Sequence, residues 1–322
     1  MSLLKKDFRF KIIEKRKIWY LISCLVILAG LISFIVQGFN FGIDFTGGSY
    51  LQLTFVDESA SDADADEAVK DEAAGEKELN FTSREVALED LRAVVNQYVE
   101  KTPMIQHDKT NNAYVIRTEL TDEDAVNELL AAIEADIGPY HIDRNELVGP
   151  TIGNELVRKA ILALVIACAL MLIYISFRFQ FWFGIASIVT LLHDALVVLS
   201  VFTIFQLEMS SSFIAAILTV IGYSINATIV VFDRVRESMP NYRSSERMAL
   251  MNDSISMTFA RSVNTTITTL LTLLALVIFG GDTTKIFVFA TIVGICAGFY
   301  SSVCLSGSLY YDFVNRFGKK KS

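Results

Sequence analysis

The chain has 322 residues, 52% of them hydrophobic, and a mean hydropathy of +0.44. Windows of about 20 apolar residues recur, which is the length of helix needed to cross a hydrocarbon core of about 30 Å. This composition excludes a soluble globular enzyme as an account of the whole chain, and it excludes a disordered chain. The formal net charge of −8 argues against a nucleic-acid partner, because nucleic-acid binding needs a basic surface.

The first apolar run covers residues 18–36 and follows a basic stretch at residues 5–17. A cleaved signal peptide is the alternative interpretation. The run is too long for a typical signal-peptide core, however, and no small-residue cleavage site follows it, so we predict an uncleaved membrane helix. Five more apolar runs predict five further membrane helices, at residues 159–177, 181–205, 212–232, 262–280 and 286–310.

Basic residues are distributed unevenly about the six predicted helices, and their distribution predicts the orientation of the chain. Six crossings place both termini on one side, and that side carries 17 Lys and Arg residues. The other short loops carry only Lys285. We therefore predict that both termini and the 233–261 loop are cytoplasmic, and that the long polar segment at 38–157 is extracytoplasmic.

These boundaries predict four domains. Residues 1–37 form the cytoplasmic N-terminus and first membrane helix, 38–157 an extracytoplasmic domain, 158–311 the other membrane helices, and 312–322 a basic cytoplasmic tail.

The extracytoplasmic segment has 26 Asp and Glu against eight Lys and Arg. This excess is typical of a solvated surface, and it would also suit a surface that handles unfolded chains without retaining them. Its Asp-, Glu- and Ala-rich stretch at 57–80 predicts a mobile insertion.

The rest of that segment alternates between strand and helix patterns. The predicted elements are, in order, a strand at 49–56, a helix from Thr82 or Ser83 to about 101, strands at 104–107 and 113–120, a helix opened by a capping box at 121–124, and a strand at 140–148. The order β-α-β-β-α-β is the ferredoxin-like pattern. The predicted fold class is thus an α-helical polytopic membrane protein with an α+β ferredoxin-like domain between helices 1 and 2.

His193 and Asp194 lie near the middle of the third predicted membrane helix. Ionisable side chains at that depth are costly, so by default they indicate function. Neighbouring residues point about 100° apart on a helix, so the two cannot face one partner equally. The alternative interpretation is structural, with Asp194 accepting hydrogen bonds from a facing helix and His193 as its local partner. A hydrolytic pair is disfavoured, since no nucleophile or metal ligands accompany it.

The fourth and fifth predicted membrane helices carry polar residues at helical spacing. They are Asn226 and Asp233 in the fourth helix, and Arg261, Asn264, Thr265 and Thr268 in the fifth. A polar stripe on a membrane helix must face protein or water rather than lipid. Two interpretations remain open: hydrogen bonds between helices, or a water-filled proton path between the fourth and fifth helices.

The sixth predicted helix contains a small-xxx-small pattern formed by Gly294 and Gly298. Two small residues four positions apart permit another helix to approach closely. The sequence does not identify that partner helix.

Six short motifs follow one another along the chain: FGIDFTGG at 41–48, VGPTIG at 148–153, LHD at 192–194, IGYSIN at 221–226, FDRVRE at 232–237 and RSVNT at 261–265. Each motif alone is weak. Together, in this order and with six predicted membrane helices, they resemble the SecF family of protein-export membrane subunits, which belongs to the RND superfamily. The resemblance extends over nearly the whole chain.

The resemblance implies a multi-pass protein of the bacterial plasma membrane that acts with SecD and the Sec translocon channel. It also implies that the proton gradient helps unfolded secretory polypeptides to complete their passage across the lipid bilayer. Two alternatives remain: one half of an RND-type exporter of lipids or small molecules, and a structural scaffold for SecD without ion traffic. No catalytic, metal-binding or cofactor motif points to an enzyme.

The chain departs from the family pattern at one position in the fourth helix. The family pattern has Asn-Asp-Thr where this chain has Asn226, Ala227 and Thr228. The resemblance implies that the missing carboxylate handles protons, and its expected partner Arg261 is present. A carboxylate could then come from SecD, from Asp194 or from nowhere, and Asp233 is a weaker substitute near the cytoplasmic end.

Overall fold

The computed structural model describes residues 10–56, 84–99, 103–108, 112–280 and 282–317. The chain divides into two compact units. The sheet unit comprises Phe41–Arg158, and the helical unit comprises Met1–Asn40 together with Lys159–Ser322. The predicted insertion at 57–80 and the predicted helix start at Thr82 or Ser83 lie outside the described residues.

The helices are α1 (Arg16–Gln37), α2 (Ile43–Thr46), α3 (Leu88–Val95), α4 (Glu123–Asp136), α5 (Pro150–Arg178), α6 (Phe181–Ile204), α7 (Ser211–Ser238), α8 (Arg247–Phe279), α9 (Asp282–Tyr300) and α10 (Ser306–Phe317). A π-helical turn at Ser301–Leu305 joins α9 to α10. The strands are β1 (Gly48–Phe55), β2 (Met104–Asp108), β3 (Ala113–Thr118) and β4 (Tyr140–Val148).

Within the described part of the chain, six helical segments are long and apolar enough to cross a membrane. They are α1, α5, α6, α7, α8 and the continuous segment formed by α9, the π turn and α10. This confirms the prediction of a six-helix polytopic membrane protein. The helix ends differ most at the starts of α5 and α8 and at the ends of α7 and α10. Helix α5 begins at Pro150 rather than 159, and α7 ends at Ser238 rather than 232.

Helix α8 begins at Arg247 rather than near residue 262. Its first half is amphipathic, so a search for continuous apolar runs misses it. Met251 and Ile255 are buried there, and Asn252 Oδ1 accepts hydrogen bonds from the backbone N–H groups of Ile12 and Ile13, each at 3.1 Å. Asn252 therefore binds the segment that precedes α1.

Helix α10 extends to Phe317, although the sequence predicts a polar tail from residue 312. Asp312 accepts a hydrogen bond from Arg16 Nε at 3.0 Å and one from the Tyr20 hydroxyl at 3.1 Å. Phe317 stacks on Trp182, with ring centroids 5.8 Å apart. The first part of the predicted tail is thus held against α1 and α6.

The sheet unit contains one four-stranded sheet with the strand order β2-β3-β1-β4, and each neighbouring pair is antiparallel. Side chains on alternate positions of β1 are buried, among them Leu51, Leu53 and Phe55. They form one hydrophobic core with α3 and α4, which contribute Leu91, Val94, Val95, Leu129, Leu130 and Ile133. The order along the chain is β1-α3-β2-β3-α4-β4, and the ferredoxin-like assignment stays an interpretation of this order.

Two details of the sheet unit differ from the prediction. Helix α3 is only eight residues long: it begins at Leu88, after Ala87 in an extended conformation, and ends at Val95 rather than near residue 101. Arg84 N donates to Phe55 O at 2.9 Å, and Val86 N donates to the Tyr114 hydroxyl at 2.8 Å. The capping box predicted at 121–124 is wrong: the Asp122 side chain makes no capping hydrogen bond, and the acidic first turn of α4 complements the helix dipole instead.

The FGIDFTGG motif forms α2 and the turn into β1. Gly47 and Gly48 have φ angles of 76° and 135°, which residues other than glycine rarely adopt. A Cβ atom on Gly48 would also collide with the Thr118 carbonyl oxygen of the neighbouring strand. The glycine pair is therefore required both by the backbone conformation and by the close approach of β3.

Helix α6 is the centre of the helical unit and contacts α1, α7, α9 and α10. Gly30 of α1 lies directly against Ser200, and Ser33 Oγ donates to Thr203 O at 3.0 Å. Gly294 of α9 lies against Val220 of α7. This close packing encloses the middle of α6, where the ionisable residues lie.

Candidate functional site

The two ionisable residues in the middle of α6 lie inside the helical unit. Asp194 is 0% exposed and His193 is 8% exposed. A charged group at this depth is most costly where it faces lipid, and interior packing removes both side chains from that environment. Their surroundings are therefore set by the neighbouring helices.

Asp194 is the centre of a hydrogen-bonded group that joins three helical segments. Its Oδ1 lies 2.9 Å from His193 Nδ1. Its Oδ2 accepts hydrogen bonds from Ser224 Oγ of α7 at 2.5 Å and from Ser301 Oγ of the π turn at 2.7 Å. We call these four residues the Asp194 cluster. Asp194 thus accepts hydrogen bonds from neighbouring helical segments, and His193 is its partner on the same helix. This arrangement corresponds to the structural interpretation of the pair.

Two members of the cluster, Ser224 and Ser301, were not predicted as site residues. Ser224 belongs to the IGYSIN motif, and Ser301 is one of two adjacent serines inside the last apolar run. Serines in membrane helices commonly bond to their own backbone, and Ser301 Oγ also donates to Gly298 O at 3.2 Å. Only the structure distinguishes these two serines from the others.

Tyr300 extends the polar contacts from the cluster toward α1. Its ring centroid lies 5.9 Å from that of His193. The Tyr300 hydroxyl donates to Trp19 O at 2.7 Å and lies 3.2 Å from Ser23 Oγ. Polar groups of α1, α6, α7 and the π turn therefore lie in one continuous region of the interior.

The predicted stripe on α8 lies on the outer surface of the chain. Its members are all exposed: Arg261, Asn264, Thr265 and Thr268. We call these four residues the α8 polar face. The threonine hydroxyls donate back into their own helix, Thr265 to Arg261 O and Thr268 to Asn264 O, each at 3.0 Å. Within the described residues, the four side chains make no hydrogen bond to another helix of this chain.

The two predicted site residues of α7 lie apart from the Asp194 cluster. Asn226 is exposed, as is Gly222 one turn earlier. Asp233 is half-exposed, with one carboxylate oxygen 3.8 Å from Arg178 Nη2. An exposed ion pair at that distance contributes little stability. The predicted site residues therefore separate into an interior pair and a set on the surface.

Asp233 and Arg261 share a small cleft between α7 and α8. The cleft has a volume of about 220 Å³, and its other lining residues are Val230, Arg234, Glu237, Met257 and Thr258. Arg234 Nη1 donates to Glu237 at 3.0 Å across one turn of α7. Arg261 makes no ion pair among the described residues. The Asp233 carboxylate and the Arg261 side chain thus line one cleft that is large enough to hold water molecules.

No metal site is apparent among the residues that the structure describes, since no three His, Cys, Asp or Glu side chains are grouped to hold an ion. The four cysteines are unpaired. The Asp194 cluster and the cleft supply groups for hydrogen bonding, charge pairing and proton exchange.

Two family models match the chain. The model for the C-terminal region of the protein export membrane proteins SecD and SecF matches residues 129–316. The model for the SecD/SecF GG motif matches residues 32–57, which include the glycine pair Gly47 and Gly48 at the start of β1. The first match covers the last quarter of the sheet unit, from within α4 through β4, and five of the six membrane-spanning segments of the described chain.

Several named proteins are similar to the chain over nearly its whole length. The protein translocase subunit SecF of Sebaldella termitidis is 37% identical over 96% of this chain and 93% of that protein. SecF of Acidaminococcus fermentans is 38% identical over 95% of this chain and 97% of that protein. The protein translocase subunit SecDF of Thermus thermophilus is 35% identical, and the match covers 92% of this chain but 38% of SecDF.

A solved structure shows the same fold. The crystal structure of SecDF, a translocon-associated membrane protein from Thermus thermophilus, matches with a TM-score of 0.79 at 31% identity. The match covers 98% of this chain and 40% of the SecDF chain, so the present chain spans about two fifths of that longer protein. With the family models and the two SecF relatives, this likeness establishes that the chain belongs to the SecD/SecF family of protein-export membrane proteins.

Proposed function

We propose that the chain is a Sec export subunit that acts with a SecD partner beside the translocon channel. In this role it uses the proton gradient to promote the late passage of unfolded secretory polypeptides. The relatives' names support the export role. The α8 polar face is the main support for a membrane partner. The Arg261 charge and the Asn264 amide are exposed on it, and a group outside this chain must shield them from lipid.

The cost of leaving that face in lipid is large. An arginine at the centre of a membrane helix costs about 2.5–3.5 kcal/mol on insertion scales, although one near a helix end can extend to water. Asn264 and Asn226 add exposed amides on the neighbouring surface of the helical unit. A protein surface with complementary polar groups, or a water-filled space between two proteins, removes this cost.

The longer SecDF relative supports a SecD-type subunit as the protein that packs against the α8 polar face. It contains the counterpart of this chain within about two fifths of its length, so the remaining part travels with that counterpart in one polypeptide. We therefore propose that SecD packs against the α8 polar face within the membrane.

A photo-crosslinking residue at position 264 should capture SecD in cells that contain both chains. The same residue at position 267 is the matched control, since Ile267 is 49% exposed on the same helix but lies about 60–160° around it from the members of the polar face. We expect a SecD adduct from position 264 at several times the yield from position 267. Equal yields, or no adduct from position 264, would contradict a SecD contact at this face.

We propose an orientation with both termini in the cytoplasm and the sheet unit outside, supported by the 16 basic residues other than Arg261 on one side against Lys285 on the other. In a cysteine-free background, Glu89→Cys in α3 and Ser245→Cys in the loop before α8 both place a thiol at an exposed position. A membrane-impermeant thiol reagent added to intact cells should label position 89 and spare position 245. The reverse labelling would overturn the orientation.

The use of the proton gradient is supported by ionisable groups in two places, the Asp194 cluster and the cleft shared by Asp233 and Arg261. Secretion measured with and without an uncoupler, in cells whose only SecF is this chain, tests this part of the proposal. Export that the uncoupler does not slow would leave the chain as a scaffold for SecD.

A further inference from the structure

The hydrogen bonds of Asp194 use both carboxylate oxygens. Three donors reach the group: His193 on Oδ1, and the hydroxyls of Ser224 and Ser301 on Oδ2. Such an arrangement suits the ionised carboxylate, which only accepts hydrogen bonds. His193 Nδ1 then carries the hydrogen that it shares with Asp194.

The other ring nitrogen of His193 lies in a different environment. His193 Nε2 is buried, and among the described residues it has no hydrogen-bond partner. The titratable group in direct ring contact with His193 is Tyr300, whose hydroxyl donates to Trp19 O and lies near Ser23 Oγ. The Cys304 thiol lies within electrostatic range of Tyr300. From α10, the nearest described ring contact to α6 is that of Tyr310 on Phe183, about three turns away along α6. No charged side chain appears among these contacts.

The charge of the pair depends on one proton. With Nε2 bare, neutral His193 and ionised Asp194 leave one net negative charge in the interior. One more proton at Nε2 makes the pair neutral, either as imidazolium with carboxylate or, if the Nδ1 hydrogen moves to Asp194 Oδ1, as the Nε2–H imidazole with carboxylic acid. An uncompensated charge is far more costly in a low-dielectric interior than a compensated pair.

We infer that His193 and Asp194 together form a proton-binding site in the interior of the helical unit, with His193 Nε2 as the atom at which one proton is gained and released. The proton belongs to the pair rather than to one residue, as for any two strongly interacting groups. The inference deepens the proposed function and depends on it only for the link to export.

The π turn gives this proton a structural consequence. Ser301 begins the turn, its carbonyl accepts the wide-spaced hydrogen bond from Ser306 N, and its hydroxyl binds Asp194. Gaining a proton weakens Asp194 as an acceptor and creates an Nε2–H that needs one. Single π turns occur frequently at functional sites in α-helices. The proton on the pair would therefore change the packing of the last membrane helix against α6.

The chain has three histidines, so its imidazole rings can be observed one by one. The full chain, labelled with ¹⁵N-histidine and placed in lipid nanodiscs, should show three rings by NMR, and His193→Gln identifies the buried one. As the pH is lowered, the His193 ring should change from protonated at Nδ1 alone to protonated at both nitrogens. In Asp194→Asn, the ratio of doubly to singly protonated His193 should fall about tenfold at the same pH.

Ser187→Ala is the matched control. Ser187 is a buried hydroxyl of α6 that donates only to Phe183 O of its own helix, so its removal should leave the ratio unchanged. A His193 ring that keeps one protonation state over the whole pH range in which the protein stays folded overturns the site. So does an unchanged ratio in Asp194→Asn. The wild-type titration decides the question even if that variant does not fold.

Failure of the proposed function would look different. In that case the wild-type chain would support export that is insensitive to an uncoupler, while His193 would still titrate. Conversely, uncoupler-sensitive export by a chain whose His193 does not titrate would retain the function and remove this site.

Discussion

Gly294→Leu should destabilise the helical unit strongly, by about 3 kcal/mol. Gly294 lies in α9, where even a Cβ atom would collide with the side chain of Val220 on α7. Gly294 and Val220 belong to long, rigid helices. The added leucine carbons must therefore push α7 and α9 apart or force one of these helices to shift along its axis. The expected result is a large decrease in the melting temperature of the chain in detergent.

Gly222→Leu is the matched control for this substitution. Gly222 lies in α7 and has no atom within 4 Å of a Cβ built on it, so a leucine there extends from the surface of the chain. Its melting temperature should stay close to that of the wild type. If both variants melt alike, the close approach of α7 and α9 at Gly294 does not stabilise the fold.

The small-xxx-small pattern illustrates what a sequence can and cannot predict. Gly294 and Gly298 correctly indicate a close helix contact, because a missing side chain leaves space that another helix fills. The partner is α7, through Val220 and Ser224. A motif on one helix carries no information about the residue that faces it, so the identity of the partner had to come from the packing.

The ends of the membrane helices show a similar limit. Apolar runs predict the parts that face lipid, and the bounds of α6 agree with the prediction within one residue. The first half of α8 and the last turns of α10 are amphipathic, and their stability comes from specific contacts such as Asn252 with the segment before α1 and Asp312 with Arg16. Hydropathy alone does not encode such pairings.

The candidate site divides along the same line. The burial of His193 and Asp194 could be predicted from the cost of a carboxylate at mid-membrane depth. Their serine partners could not, since most hydroxyls on these helices bond to their own backbone, as Thr265 and Thr268 do. The outward direction of the α8 polar face also depends on how α8 packs, which the spacing of its residues does not determine.

Arg261→Ala should nearly abolish the uncoupler-sensitive part of export while the chain still inserts and accumulates. Arg261 lies on the exposed α8 polar face, and within the described residues it has no ion-pair partner. If a carboxylate of SecD pairs with it in the assembled complex, the substitution leaves that charge buried without compensation, at a cost of about 3–5 kcal/mol. Secretion of a reporter protein, measured with and without an uncoupler, reports the effect.

Two further variants separate the possible partners of Arg261. Asp233→Asn removes the carboxylate that shares the cleft with Arg261. Export as low as in Arg261→Ala would identify Asp233 as the partner, whereas near-normal export would favour SecD. Arg261→Lys should retain part of the activity, because lysine keeps the charge but lacks the planar guanidinium that binds a carboxylate through two hydrogen bonds.

Ala227→Asp tests the position at which the chain departs from its family. Ala227 lies about one turn before Val230, a residue of the cleft that contains Arg261, and we expect a carboxylate at position 227 to reach the arginine. We expect this variant to export normally, and we expect the double variant with Arg261→Ala to be more impaired than Arg261→Ala alone, because the aspartate then has no cation beside it. Full, uncoupler-sensitive export by Arg261→Ala would instead show that Arg261 only extends to water at the membrane surface, and the role of a scaffold for SecD would account for the polar face.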